Sequence, residues 1–477
     1  MNRNIACQAN TEVQGENAFD VASLKQRIAV RFPKLPQSAQ WNQPLQRLLP
    51  FSVSGQVCSL HGGVITAQGL PLPMGAVTQI HRQGLDPLEG EVIGFDHQQT
   101  IIAPLDPLEG VRAGDRIELK QSARTIRMTS DLCGQVLDAT GLPLEGGRLR
   151  TAGYRVPVDA PALAPLSRVP IRNPLQTGIR SIDTLLTIGK GQRVGVFAAA
   201  GVGKSTLLGM LARGTQADHV VIGLIGERGR EVREFLENDL GEAGRKKSTT
   251  VVATSDQTAA KRILAAKTAT AIAESLRDQG KSVLLLMDSL TRFATAQREI
   301  GLASGEAPTT RGYPTSVFSA ISQLVERSGN AQRGSITAIY TVLVEGDDHN
   351  EPISDAVRSF VDGHITLSKS LANHGHYPAI DVLRSLSRLQ EHLTSHDQIT
   401  LVNELRKWLA IYDEHRELIQ IGAYPHGSNR QIDQAIRLKP AIDSFLVQAR
   451  SERVVPEEAW HALAQLLHRE VDGYRAV

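Results

Sequence analysis

The feature that most constrains this chain is nine residues long. Ala198-Ala199-Ala200-Gly201-Val202-Gly203-Lys204-Ser205-Thr206 lies between an apolar strand-like run, 192–199, and a helical segment that starts at Lys204. Small residues let successive backbone N–H groups curl around an anion, and the start of the helix adds the positive end of its dipole. The Lys204 ammonium can reach β and γ phosphates, and the Ser205 hydroxyl can ligate magnesium. A strand, a phosphate-cradling loop and a helix in this order point to a parallel sheet flanked by helices and to nucleotide binding.

The rest of the 477 residues is organised around that loop. Over 126–389, β runs alternate with helical segments: QRVGVFAA, then HVVIGLIG followed by a helix around 231–240, then SVLLLMD and SITAIYTVL. Such alternation predicts an α/β, RecA-like core. Over 51–125 the texture changes to short β-like runs broken by Gly and Pro (FSVSGQVCSL, GAVTQIH, GEVIGFD, TIIAPL, GDRIELK), which predicts a small antiparallel β-barrel. DPLEG occurs at 86–90 and again at 106–110, and reads as two similar turns. Over 390–477 the strand signal disappears, and 397–420, 430–449 and 456–470 predict a helical domain. Residues 1–50 form an arm in which Phe19, Val21, Leu24, Ile28 and Val30 recur at roughly helical spacing. This helix either packs on its own domain or binds a partner.

Composition narrows the function. With 52 Lys+Arg against 50 Asp+Glu, the net charge of +2 creates no field that announces a nucleic-acid partner, and none is expected. Arg245-Lys246-Lys247 reads as a solvated turn after a helix. Cys7, Cys58 and Cys133 are widely spaced, which supports neither a disulfide framework nor a cysteine zinc site. The longest apolar runs are too short to span a bilayer, so a cytoplasmic location is expected. His392 and His396 have i, i+4 metal spacing but no acidic residue between them, and a surface pair is expected. His374 and His376 flank Gly375, where packing is the simpler reading.

Hydrolysis needs more than a loop. The strand 282–288 ends in Asp288, the position expected for a carboxylate at the magnesium site. Gly226-Glu227-Arg228-Gly229-Arg230-Glu231 follows another apolar strand, and Glu227 at its end can polarise an attacking water.

The segments AAAGVGKST, GERGRE, LLLMDSLTRFA, GYPTSVF, VLVEGDD, DGHITLS and GHYPAIDVLRSLSR together resemble the hexameric ATPases related to rotary ATP synthases. Within that group the chain is similar to the protein-export ATPases of the bacterial flagellum and of type III secretion. The resemblance implies Glu227 as the catalytic base, with Arg228 and Glu231 as its electrostatic neighbours. It implies Asp288 at the Mg2+ site, Tyr377 as an aromatic stacked on adenine, and Arg388 as an arginine finger for the neighbouring subunit, with Arg384 as the runner-up. Because Lys204, Glu227 and Arg388 lie in one chain, identical subunits can build every composite site, and a homohexamer is expected.

Ile421-Gly422-Ala423-Tyr424 resembles the flagellar branch, whereas the stretch 345–352 and Ala199-Ala200 resemble the virulence branch; the flagellar reading is favoured. The resemblance further implies a stator-like regulatory partner at the N-terminal arm and a coiled-coil stalk protein in the ring's opening, lined in part by 312–318. It also implies export chaperone–substrate complexes as clients and a membrane export gate at the inner face of the cell membrane. The rival readings are a catalytic subunit of a rotary synthase, a Rho-like RNA translocase and a non-catalytic nucleotide-binding scaffold.

Overall fold

The computed structural model describes residues 53–145, 152–344 and 351–467. The arm at 1–50, with the helix expected there, and the charged segment 345–350 lie outside the described residues.

Six short strands close a barrel: β1 (Ser54–His61), β2 (Val64–Gln68), β3 (Val77–Ile80), β4 (Leu88–Asp96), β5 (Gln99–Pro104) and β6 (Arg116–Gln121), in the spatial order β1-β2-β5-β4-β3-β6. Alternation turns Val57, Ile65, Ile80, Leu88, Val92, Ile102 and Ile117 inward to fill it. The five expected β runs all fall in this barrel. The sixth strand, β2, is only five residues long and sits between glycines, too short for its alternation to stand out. The barrel's exit is fixed to the rest of the chain where Thr258 Oγ1 donates to Leu105 O at 2.7 Å and Lys261 pairs with Asp106.

A short two-stranded ribbon, β7 (Thr125–Met128) with β9 (Tyr154–Pro157), follows the barrel. The large sheet contains β8 (Val136–Leu137), β10 (Arg193–Ala198), β11 (His219–Glu227), β12 (Ser248–Thr254), β13 (Ser282–Asp288), β14 (Gly329–Asn330), β15 (Ser335–Leu343), β16 (Gly363–Leu367) and β17 (Ile380–Ser387). Its order is β17-β16-β10-β15-β13-β11-β12-β8, parallel throughout except that β17 runs antiparallel at one edge and β14 pairs antiparallel with β15. The central strands read as unbroken apolar runs because helices cover both faces. Parallel pairing also aligns the ends of β10, β11 and β13, which is what brings the loop, Glu227 and Asp288 to one side.

Among the helices, α1 (Arg180–Leu185) precedes β10 and α2 (Lys204–Gly214) follows it. After β11 the expected helix around 231–240 is instead α3 (Gly229–Glu234), a π-helical turn at Phe235–Leu240 and α4 (Gly241–Lys247). The wide turn buries Phe235, Leu236 and Leu240 together. Arg245, Lys246 and Lys247, expected in a turn after a helix, are the last turn of α4, where cations meet the negative end of the helix dipole.

The C-terminal helices are α5 (His396–Glu414), α6 (Arg416–Gln420), α7 (Arg430–Leu446) and α8 (Pro456–Leu466), of which α5, α7 and α8 bury side chains in the same core as α2. Leu405, Leu438, Ile442, Phe445 and Leu463 share one core with Leu207, Leu208 and Leu211. Ser395 and Gln398 form a capping box that starts α5. His392 falls in the separate short helix Gln390–Leu393, so it and His396 do not share a helix face. No described helix is long and apolar enough to cross a membrane.

Candidate active site

The loop leaves β10 at Ala198 and enters α2 at Lys204. Gly201 (φ 79°) and Gly203 (φ 91°) adopt left-handed backbone that a β-carbon disfavours, so glycine is required where the chain reverses into the helix. Val202 is 1% exposed and anchors the loop in the core, whereas Ala199, Ala200, Ser205 and Thr206 remain at least partly accessible.

Lys204 is the centre of a three-residue charge cluster. Its Nζ lies 3.2 Å from Glu227 Oε1 and pairs closely with Asp288. Register explains the meeting: β11 and β13 run side by side with Leu224 opposite Asp288. Glu227 then follows a bulge at Gly226, where φ is 72°. Asp288 is buried, and Thr341 Oγ1 on β15 donates to it at 2.6 Å. Sequence reading did not single out Thr341; the signal was a hydroxyl inside the otherwise apolar run of β15.

Burial alone would lower the Lys204 pKa, but the charges of Asp288 and Glu227 outweigh it and hold the ammonium above its ordinary value. Glu227 moves up as well: desolvation raises it, Lys204 opposes, and the Asp288 charge and a hydrogen bond with Glu231 add to the rise. A carboxylate raised in this way is a better proton acceptor than an exposed one.

Ser205, Glu227, Glu231, Asp239 and Asp288 line one cleft of about 160 Å³. Its lining of hydroxyl and carboxylate oxygens, without thiol or imidazole, suits a hard cation such as Mg2+. Arg228 is 71% exposed and pairs with Glu231 at 3.2 Å, so it reaches Glu227 only through that glutamate. Tyr377 stands 42% exposed beside the loop, its ring 3.4 Å from where a β-carbon on Gly203 would lie.

Arg388 does not join this cluster. β17 runs against β16 with Ser387 opposite Gly363, so Arg388 lies where the parallel strands begin, and its backbone N donates to Asp362 O. Asp362 in turn donates to Arg193, the first residue of β10. Five strand steps from Arg193 to Ala198 place the loop about 16 Å further along the sheet. The Arg388 side chain is exposed, with one long contact of 3.4 Å to Arg358 O. Arg384, nearer the middle of β17, is 67% exposed with Asp381 at 3.7 Å.

Residues 178–387 match the model of the ATP synthase alpha/beta family, nucleotide-binding domain, and 394–465 match the T3SS EscN ATPase C-terminal domain. The flagellum-specific ATP synthase of Bacillus subtilis (strain 168) is 46% identical over 418 residues, 87% of this chain and 95% of that protein. The chain belongs to this export-ATPase family. The type 3 secretion system ATPase of Xanthomonas euvesicatoria is 47% identical over 83% of this chain and 89% of its own length, so identity does not separate the two branches. The assembled ATPase EscN in complex with its central stalk EscO, from the enteropathogenic E. coli type III secretion system, superposes with a TM-score of 0.79 at 40% identity. That match covers 87% of this chain and 100% of EscN. As a member of this ATPase family the chain takes ATP as its substrate, and the loop, Glu227 and Asp288 fall within the matched nucleotide-binding segment.

Proposed function

We propose that this export ATPase hydrolyses ATP between identical subunits of a homohexameric ring, with Lys204, Glu227 and Asp288 from one subunit and Arg388 from the next. The observation that carries the reading is the placement of Arg388 at the far end of its own sheet, exposed and loosely held. A cation that stabilises transition-state charge is of no use to its own site from there; a neighbour brings it into range.

Within one subunit, the loop N–H groups and Lys204 hold the β and γ phosphates, which draws the ammonium away from the two carboxylates it now bridges. Glu227, freed and raised in pKa, accepts the proton of the attacking water. Ser205 and Asp288 would hold Mg2+, which neutralises phosphate charge when bound. Arg228 acts by holding Glu231, and Glu231 in turn tunes Glu227. Tyr377 stacks on the adenine.

The work done is protein export of the flagellar type, with the virulence system as the second reading. A coiled-coil stalk in the ring's opening is supported by the EscN–EscO complex. A stator-like partner at residues 1–50, chaperone–substrate clients and a peripheral place at a membrane export gate extend the same reading.

Mixed rings test it. Arg388→Ala alone is expected to lower turnover by ~10³–10⁵-fold. Mixed with Lys204→Ala subunits, themselves inactive, it regains part of that activity, since an intact phosphate loop then faces an intact arginine. No recovery in rings verified to contain both variants would remove Arg388 from the neighbour's site.

A further inference from the structure

Tyr377 faces the phosphate loop, yet what fixes its height above that loop lies elsewhere in the chain. Gln448, just past α7, is 3% exposed and engages its backbone N and both polar atoms of its side chain. Its backbone N donates to Tyr377 O at 2.9 Å. Its side-chain Oε1 accepts from Arg180 N at 2.8 Å, while Nε2 donates to Gly178 O at 2.8 Å and to Glu452 O at 3.1 Å. The amide therefore bolts the segment beside Tyr377 to the turn that opens α1.

That turn is itself rigid and tied to the phosphate-loop helix. The buried Asp183 accepts from Thr177 N, Thr177 Oγ1 and Gly178 N at 2.7–2.9 Å. Gly178 and Gly214, the last residue of α2, approach so closely that a β-carbon on Gly214 would lie 2.2 Å from Thr177 O. Arg180 adds a grip on Phe445 O at 2.8 Å and on Glu452. A closed circuit results: Gly203, along α2 to Gly214, across to Gly178, through Gln448 to Tyr377, and back to Gly203.

We infer that Gln448 is a positioning residue for base recognition, setting the Tyr377 ring against the phosphate loop and coupling the C-terminal helices to adenine binding. The inference rests on Tyr377 being the adenine platform. Only an amide fits the place, because one end must accept an N–H and the other must donate to two carbonyls. A glutamate would put a buried charge against two carbonyl oxygens, and a methionine would leave Gly178 O, Glu452 O and Arg180 N without it.

The test uses the full-length protein, with ATP and with inorganic tripolyphosphate, which lacks the base, as a competing ligand. Gln448→Met is expected to raise KM for ATP about tenfold, within the range for losing a base–aromatic stack, with kcat near its original value. The inhibition constant for tripolyphosphate stays unchanged, because the phosphate loop is intact. Tyr377→Ala gives the same pattern, and the double variant is no worse than Tyr377→Ala alone. If the Met variant does not fold, Gln448→Asn keeps both polar ends one methylene short and reports the same split. A parallel rise in KM and in the tripolyphosphate constant overturns the inference, as does an unchanged KM where Tyr377→Ala raises it. If Tyr377→Ala itself leaves KM unmoved, it is the platform reading that fails.

Discussion

The two ends of the large sheet both carry charge, but they balance it differently. Where the strands begin, apart from the exposed Arg388 at the rim, the arginines packed into the fold are matched by carboxylates. Arg193 pairs with Asp362 and Glu326, and Arg168 with Glu326 again. Arg327 makes a two-point contact with Glu274, with both side chains under a tenth exposed. Where the strands end, Lys204 is alone against Glu227 and Asp288, leaving one negative charge over beside an open cleft. A balanced set has no electrostatic reason to rearrange. The other set is incomplete, and its lysine can be drawn off by phosphate while a divalent cation takes up the excess. Chemistry belongs at the end where the pairing is exchangeable.

The sharpest way to break this contrast is at Glu227. Glu227→Gln keeps the shape and removes the negative charge and the proton-accepting oxygen. Turnover should fall by ~10²–10⁴-fold while ATP affinity stays within a few-fold, because Gln does not disturb the phosphate contacts. Steady-state turnover and a direct binding isotherm separate the two. Equal losses in both would mean that Glu227 holds the loop together and does not act on water.

The opposite end should respond in stability. Glu274→Ala strands Arg327 in the interior with Val158 O as its remaining hydrogen-bond partner at 2.9 Å. Removing one side of such a buried pair costs about 3–5 kcal/mol. A large drop in the denaturant midpoint is expected, with KM for ATP unchanged in the protein that remains folded. A shift in KM at constant stability would show that this end also communicates with the nucleotide.

The difference between the two ends also governed what was readable from sequence. The phosphate loop, Glu227 and Asp288 sit directly after apolar runs, so strand period and motif spacing place them together. Arg388 could be named from its segment, but its distance from its own loop follows from β17 running antiparallel, which no spacing reveals. The pairs Glu274–Arg327 and Arg193–Asp362 join residues far apart in the chain, and each residue taken alone resembles a surface charge. Thr341 and Gln448 were illegible for the same reason: one hydroxyl in an apolar strand and one amide after a helix acquire meaning only from partners that tertiary packing supplies. The π-helical turn at Phe235–Leu240 was missed because its apolar residues are compatible with ordinary helical spacing.

The smallest expected effect lies at the first residue of β11 and has a definite sign. His219 is 5% exposed, with Nε2 2.9 Å from Thr249 Oγ1 and Nδ1 facing the Cys133 sulfur at 3.6 Å. Burial, helped by the charges of Lys281 and Lys247, lowers its pKa to about 4. The folded state holds neutral imidazole, whereas the unfolded chain takes up a proton near pH 6.5. The stability due to this group is therefore complete above pH 6.5 and is lost as the pH falls towards 4, by ~3 kcal/mol at most. Replacing His219 with Gln keeps a polar partner for Thr249 and removes the titration. The stability difference between wild type and His219→Gln should shrink between pH 7 and 4.5, read from urea midpoints at constant ionic strength. A difference that stays constant over that range would mean that this end tolerates an uncompensated charge, and the contrast between a closed and an exchangeable end would lose its basis there.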